Sequence, residues 1–166
     1  MPHNVEIKAK ASDWKRQFEA AKKIADRFEF LSQEDVFFNC ASGRLKLRMQ
    51  KGKENYLVFY RRDDKAGPKT SEYFPAAVND SAAMKALLSA AFGLKKTVNK
   101  KRTVFFAGQT RIHFDEVSGL GRFIELEVCL KKGQSSAAGR KIAASFMKLL
   151  SISKKNLLKN AYADMQ

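Results

Sequence analysis

The stretch that decides the fold is HFDEVSGLGRFIELEV, residues 113–128, which reads as a strand, a glycine turn and a second strand. In the second strand Glu125 and Glu127 alternate with three aliphatic residues. Because side chains alternate between the two faces of a strand, both carboxylates share one face and the aliphatic residues share the other. Neighbouring carboxylates repel each other, so this face predicts a cation or a row of Lys and Arg opposite it.

The same alternation of charged and apolar residues returns in two earlier segments. One face of a predicted first strand, residues 3–10, carries Asn4, Glu6, Lys8 and Lys10. One face of a predicted strand at residues 44–50 carries three cations, Arg44, Lys46 and Arg48. We therefore expect strands with a charged row on one face and an aliphatic row on the other.

Composition indicates an ordinary globular protein with a strong positive charge. The 166 residues predict one domain, and 45% hydrophobic with 30% charged residues is typical of such domains. Lys and Arg number 32 against 17 Asp and Glu, which gives a net charge of +15. This excess favours a polyanionic partner, such as nucleic acid, an acidic membrane surface or a small phosphorylated substrate.

The chain lacks the sequence signals of a membrane or secreted protein. No apolar run approaches the roughly 20 residues of a membrane span, and the N-terminus has no signal-peptide hydrophobic region. Cys40 and Cys129 have no partner at metal-ligand spacing, so we expect two reduced, structural thiols. The expected location is cytoplasmic.

Apolar periodicity predicts about eight strands and three or four helices. The strands are expected at residues 3–10, 28–39, 44–50, 55–61, 69–76, 95–107 and 110–116 and around Glu125 and Glu127. The helices are expected from a Ser12 cap to about Arg27, from Asn79 or Asp80 to Gly93, at 135–150, and as a short last helix at 153–160.

Two architectures fit this order of elements. An open sheet with helices on one face would leave the charged rows in water. An eight-stranded antiparallel sheet can instead close and place the charged rows inside a tunnel, with the helices on the aliphatic exterior. Acidic rows on some strands and basic rows on others favour the closed form. Because dry burial costs several kcal/mol per ion, such a tunnel must hold water, metal ions and a highly charged ligand.

Five segments, in this order, resemble the CYTH domain, also called the triphosphate tunnel metalloenzyme superfamily. They are VEIK at 5–8, QEDVFF at 33–38, LKLR at 45–48, KKR at 100–102 and the stretch from Asp115 to Glu127. The superfamily includes class IV adenylyl cyclases and thiamine triphosphatases. The resemblance spans the whole chain and implies one domain, 1–166, of the α+β (mainly β) class: a closed eight-stranded antiparallel β-barrel with helices packed outside.

The resemblance also implies a site for a triphosphate or polyphosphate ligand held by cations and by Mg²⁺ or Mn²⁺. The implied metal ligands are Glu6, Glu125 and Glu127, with Asp115 either assisting the metal or orienting Arg and Lys side chains. The matching phosphate-binding positions are Lys8, Lys46, Arg48, Lys100 and Arg102. Strand parity or neighbourhood adds Arg44, Arg61 and Arg111. The implied catalytic residues are Glu125, Glu127 and Arg48.

The chain departs from the family pattern at two places. Asn4 replaces the first N-terminal Glu, which removes one metal ligand, and Phe37-Phe38 replaces an often Tyr-containing pair. The side chains that could replace the missing hydroxyl or add charge are Tyr60, Tyr73, Lys65 and Lys69. His3 and His113 are expected to be surface or tunnel-lining polar residues rather than catalytic bases.

Four functions remain open from the sequence. The first is a metal-dependent hydrolase of inorganic triphosphate, a nucleoside triphosphate or thiamine triphosphate. The second is cyclisation of ATP on the same tunnel, and the third is a binding protein for polyphosphate or phosphorylated ligands. Nucleic-acid binding driven by the net charge is the least expected. The sequence does not predict an oligomeric state.

Overall fold

The computed structural model describes residues 3–62 and 67–165. Its strands are β1 (His3–Lys10), β2 (Arg27–Phe38), β3 (Arg44–Gln50), β4 (Asn55–Arg62), β5 (Lys69–Val78), β6 (Leu94–Ala107), β7 (Thr110–Val117) and β8 (Gly121–Cys129). Its helices are α1 (Trp14–Ile24), α2 (Ser81–Phe92) and α3 (Ser136–Leu149). The last expected helix, at 153–160, is wrong: this region contains one short 3₁₀ turn, Lys154–Asn156, and a second, Tyr162–Asp164, follows it.

The eight strands form a closed antiparallel barrel in the order β1-β5-β4-β3-β2-β6-β7-β8, and β8 pairs with β1 to complete it. The closed architecture is confirmed and the open sheet is excluded. The register places Glu6 opposite Glu127 and Lys8 opposite Glu125 across the β1–β8 pair. Gly119 and Gly121 both have positive φ in the β7–β8 turn, a conformation that glycine adopts without strain.

Most of the hydrophobic core lies outside the barrel wall. The outward rows of β1, β6, β7 and β8 pack against α1 and α3, and the fully buried side chains there include Ile7, Phe105, Ile112 and Leu126. On the opposite side, Leu88 of α2 packs with Val36 and Leu47. Burying these aliphatic rows stabilises the fold and leaves the charged rows to face inward.

The ends of α1 and α2 follow ordinary capping rules, with one correction. Asp13, not Ser12, caps α1, because its carboxylate accepts from the backbone N–H of Arg16 at 3.2 Å. The helix ends at Ile24 rather than near Arg27, where β2 already begins. Asp80 caps α2 and Gly93, with φ of 78°, ends it. None of the helices in the described ranges is long and apolar enough to cross a lipid bilayer.

The C-terminal segment lies across one end of the barrel. Leu157 bridges Ala9 of β1, and the N–H of Leu158 donates to the carbonyl of Lys8. These backbone groups bond to the barrel rather than to a helix of their own, which explains why the expected last helix is replaced by short turns.

Candidate functional site

A cavity of about 570 Å³ lies inside the barrel and is called the tunnel below. Its wall consists largely of the inward rows of the strands, because only alternate side chains of a strand face inward. The charged residues that line it are Glu6, Lys8, Glu29, Asp35, Lys46, Arg48, Lys100, Arg102, Arg111, Glu125 and Glu127. Acids and bases from different strands thus meet in one space.

Asp35 on β2 holds three of the cations. Arg48 binds it through two hydrogen bonds of 2.7 Å, and the amines of Lys46 and Lys100 lie 3.3 and 3.6 Å from the same carboxylate. Burial alone would raise the pKa of Asp35, but the charges of these three residues outweigh it and hold the pKa well below its usual range. Asp35 is therefore ionised and fixes the position of its cationic neighbours.

Asp115 on β7 plays the corresponding role for Arg102. The guanidinium donates two hydrogen bonds of 2.6 Å to the carboxylate, and the hydroxyl of Tyr162 donates a third at 2.8 Å. Arg102 also donates to Glu125 at 3.1 Å. Asp115 is fully buried among these partners, so its oxygens are already occupied. The contacts agree with an orienting role for Asp115 and do not present it as a metal ligand.

The acids on β1 and β8 have a different surrounding. Glu127 accepts a hydrogen bond of 2.7 Å from the amide nitrogen of Asn4. The next polar neighbours of its carboxylate, Arg111 and His113, each lie 3.5 Å away. Burial and then the charge of Arg102 hold the pKa of His113 well below its usual range, so this imidazole is neutral at neutral pH.

Burial and nearby positive charge lower the pKa values of two of the tunnel lysines, Lys46 and Lys100. Burial, followed by the charge of Arg102, lowers the pKa of Lys100 from 10.5 to about 7. Burial and the charge of Arg48 lower the pKa of Lys46 to about 8. An anion that entered the tunnel would relieve this repulsion, because it favours the charged form of both lysines.

The wall offers oxygen donors of the kind that Mg²⁺ and Mn²⁺ prefer. Within residues 3–62 and 67–165, no group of three or more His, Cys, Asp or Glu side chains is arranged to hold a metal ion. Asn4 supplements the carboxylates, because its carbonyl oxygen is buried without a hydrogen-bond partner while its nitrogen donates to Glu127. Glu6, Glu127 and Asn4, which lie together on β1 and β8, are the residues that could hold such an ion.

A larger groove of about 1250 Å³ lies between α2, the β7–β8 turn and neighbouring strands. Its acids are paired at the surface, Glu34 with Lys85 at 3.2 Å and Glu116 with Arg122 at 3.1 Å. Most of the buried charge lies in the tunnel, and Lys100 alone among the buried cations described lines both cavities.

A family model described as the CYTH domain matches residues 2–162. The chain belongs to the CYTH domain family. A CYTH relative from Methanocaldococcus jannaschii named "Putative adenylate cyclase MJ0240" is 28% identical over 174 residues, covering 98% of this chain and 97% of that protein.

Solved structures with the CYTH barrel superpose on this chain over nearly its whole length. The PH1012 protein from Pyrococcus horikoshii gives a TM-score of 0.86 at 19% identity, covering 97% of this chain and 98% of that one. A structure from Hippeastrum, named "Putative adenylyl cyclase HpAC1" and described as revealing a dominant triphosphatase activity, gives 0.67 at 12% identity, covering 97% and 91%. At these identities the likeness concerns the fold.

The CYTH tunnel brings together most of the residues that the sequence singled out. They are Glu6, Lys8, Lys46, Arg48, Lys100, Arg102, Arg111, Glu125 and Glu127. Their strand parities were predicted correctly, and closure of the sheet turns their rows toward one cavity. Their functional roles stay predictions.

Arg44 and Arg61 lie elsewhere in the CYTH barrel. Arg44, at the start of β3, binds Asp164 of the C-terminal segment at 3.0 Å. Arg61 is corrected: Tyr56, Val58 and Tyr60 are the inward row of β4, so Arg61 points outward, where it is exposed and contacts the ring of Phe59. Strand parity or neighbourhood had suggested it.

Several residues outside the predicted site lie in the tunnel wall. His113, Tyr60 and Tyr73 line it, as does Phe37, whereas Phe38 faces the outer core. The parity of their strands could have assigned all of them. Lys69 is buried and its amine donates to the carbonyl of Lys159 at 2.6 Å. Lys65 lies outside the described residues.

Two residues of the CYTH tunnel were missed for different reasons. Asp35 lies on the inward row of β2, two positions before Phe37, so its parity was a usable signal. Tyr162 lies in the C-terminal segment, where no periodic pattern indicates that a side chain reaches the tunnel. Neither cysteine is in a disulfide bond; Cys40 is exposed and Cys129 is half-buried.

Proposed function

We propose that this CYTH protein is a metal-dependent hydrolase of a triphosphate compound bound in the tunnel. The observation that carries the proposal is the convergence of six cations, contributed by β1, β3, β6 and β7, on one cavity that also contains Glu6, Glu125 and Glu127. Those cations are Lys8, Lys46, Arg48, Lys100, Arg102 and Arg111. A triphosphate is a compact ligand with enough negative charge to match them.

The cations are held ready before any ligand enters. Asp35 fixes Arg48 and Asp115 fixes Arg102, each by two hydrogen bonds to the guanidinium. Phosphoryl transfer depends mainly on positioning and on neutralising the charge of the phosphate oxygens. Arginines whose geometry is already set supply both without reorganisation during the reaction.

We assign metal binding to residues of β1 and β8. Glu6, Glu127 and the carbonyl oxygen of Asn4 would hold Mg²⁺ or Mn²⁺, with Glu125 beside Arg102 as the remaining acid. The ion would supply charge neutralisation and a more acidic water for hydrolysis. Arg48, Glu125 and Glu127 are the residues to which we assign the reaction.

Cyclisation of ATP is the second candidate on the same tunnel. It is favoured by the name of the Methanocaldococcus relative, whereas the triphosphatase activity of the Hippeastrum protein favours hydrolysis. The two reactions share the phosphate site and differ in the attacking oxygen. Binding without turnover is the third candidate, motivated by Asn4 at the metal site.

The test is an assay of the purified protein with inorganic triphosphate, ATP and thiamine triphosphate. Each compound is incubated with Mg²⁺, with Mn²⁺ and with chelator, and both phosphate release and nucleotide products are measured. Calorimetric titration with inorganic triphosphate is run in parallel. We expect phosphate release that chelator abolishes.

The other outcomes separate the candidates. Formation of cyclic AMP and pyrophosphate from ATP would show that the reaction is cyclisation and not hydrolysis. Triphosphate binding with no product from any compound would support the binding protein. No binding of triphosphate, with or without metal, would overturn the assignment of the tunnel.

A further inference from the structure

The C-terminal segment closes one end of the tunnel. It contacts strands around that rim through Leu157 with Ala9 on β1, Lys159 with Lys69 on β5, and Asp164 with both Arg44 on β3 and Lys95 on β6. Phe37, Val98, Val117 and Phe123, which lie near strand termini at this same end, pack with Tyr162 and Ala163 in one apolar cluster. The side chain of Tyr162 is thereby buried at the tunnel wall.

Tyr162 contacts the cations of the tunnel in two ways. Its hydroxyl donates to Oδ2 of Asp115 at 2.8 Å, and this carboxylate binds Arg102 through two hydrogen bonds. The centre of its ring lies 3.8 Å from the amine of Lys8 and 5.3 Å from that of Lys100. One residue thus touches two lysines directly and an arginine through one carboxylate.

Each contact restricts a group that would otherwise rearrange. A lysine side chain has several rotatable bonds, and a ring face within about 6 Å attracts its ammonium group. The hydroxyl and Arg102 both donate to Oδ2 of Asp115, and the amine of Lys100 lies 3.9 Å from the same oxygen. Loss of the hydroxyl would leave Lys100 to move onto Asp115 and away from the ligand space.

We propose that Tyr162 is a positioning residue of the phosphate site, which holds Lys8 and the Asp115–Arg102 pair in the orientation that binds a triphosphate. The inference rests on the proposed function, since it concerns the same tunnel. It adds a C-terminal residue to a site otherwise built from strands.

The test compares two substitutions of Tyr162 with a packing control. Tyr162→Phe removes the hydroxyl and keeps the ring, and Tyr162→Leu removes both. Phe123→Leu is the control, because its ring lies 5.1 Å from that of Tyr162 in the same apolar cluster and is not part of the tunnel wall. For each protein we would measure the thermal midpoint, the Kd for inorganic triphosphate in chelator, and kcat and KM with Mg²⁺.

We expect Tyr162→Phe, which loses one buried hydrogen bond, to lower the thermal midpoint by only about 5 °C while Kd and KM rise about tenfold and kcat changes less. Tyr162→Leu should weaken binding by about 100-fold, because the ring contact with Lys8 is lost as well. Phe123→Leu should lower the thermal midpoint and leave Kd unchanged.

A Kd of Tyr162→Phe equal to that of the wild type would overturn the inference. A loss of affinity that is proportional to the loss of thermal stability in all three variants would overturn it as well. Both results leave the proposed function intact, because the wild type still binds triphosphate. A wild-type protein that binds no triphosphate would overturn the proposed function and this inference together.

Discussion

The tunnel contains two kinds of carboxylate. Asp35 and Asp115 are almost completely buried, and each holds an arginine by two short hydrogen bonds. Glu6 and Glu127 face each other across β1 and β8 and remain partly exposed. The contacts of Glu127 are an amide of Asn4 and two neighbours at 3.5 Å.

This difference indicates a division of roles among acids that look alike in the sequence. The carboxylate oxygens of the aspartates bind and orient cations, so these residues belong to the framework of the site. Glu6 and Glu127 line the cavity, which a hydrated ion can enter. Substitutions in the two sets should therefore fail in different ways.

Asp115→Asn should have the largest effect, and the effect should be on folding. Removing one partner of a buried ion pair leaves Arg102 charged and insufficiently compensated, which costs about 3–5 kcal/mol. The measurement is the free energy of unfolding in urea. An unfolding free energy equal to that of the wild type would show that Asp115 is not part of the framework.

Glu127→Gln should impair activity and spare the fold. Loss of a carboxylate ligand should lower metal-dependent turnover about 10²–10³-fold, whereas the isosteric amide still accepts from Asn4. Glu116→Gln is the matched control, since it makes the same change on the exposed face of the same hairpin. Equal kcat/KM values in the two variants would place the metal elsewhere.

Acid should remove the contribution that Asp35 and Asp115 make to stability. The pKa of Asp35 and that of Asp115 lie below 3.8 because nearby cations outweigh the opposing effect of burial. Their contribution to stability is complete above the unfolded pKa and is lost as pH falls below about 4, since the unfolded chain then takes up protons first. Urea unfolding from about pH 5 to about pH 3 should show this loss, and Asp115→Asn should show less of it.

Asn4→Glu should strengthen metal binding at the proposed site of Glu6 and Glu127. A third carboxylate beside Glu6 and Glu127 should tighten Mn²⁺ binding by about tenfold, because affinity for hard cations rises with the number of charged oxygen ligands. Calorimetric titration with Mn²⁺, in the absence of substrate, measures this change. An unaltered titration would remove Asn4 from the metal site.

Arg61→Ala should have the smallest effect. Its side chain lies on the outer face of β4, so KM for triphosphate should stay within about twofold of the wild type. Arg111→Ala, on the inward face of β7, should raise KM about tenfold under the same assay. A matching rise in both variants would mean that net charge, rather than the tunnel, attracts the ligand.

The sequence predicted what depends on alternation along single strands. The inward positions of Lys46 and Arg48, and of Glu125 and Glu127, follow from a period of two, and the alternating acidic and basic rows favoured closure. Contacts that depend on register between strands were not readable. Asp115 was expected to assist a metal or orient cations, and only its placement beside Arg102 distinguishes these roles.

The C-terminal segment was the least predictable part of the site. Residues 153–160 were expected to form a helix, but the N–H of Leu158 bonds to β1, and Tyr162 and Ala163, beyond that range, pack at the rim. Such a segment takes its conformation from the surface beneath it, so local propensity carries little information about Tyr162.

The position of the apolar core has an evolutionary consequence. In most small domains the interior must be conserved in volume, because every change there disturbs packing. Here most of the packed layer lies between the barrel and its helices, so side chains that line the cavity and hold no buried partner can be exchanged without opening a void in that layer. New chemistry can therefore accumulate inside an unchanged scaffold, one tunnel residue at a time, and Asn4 beside Glu6 and Glu127 is one such position.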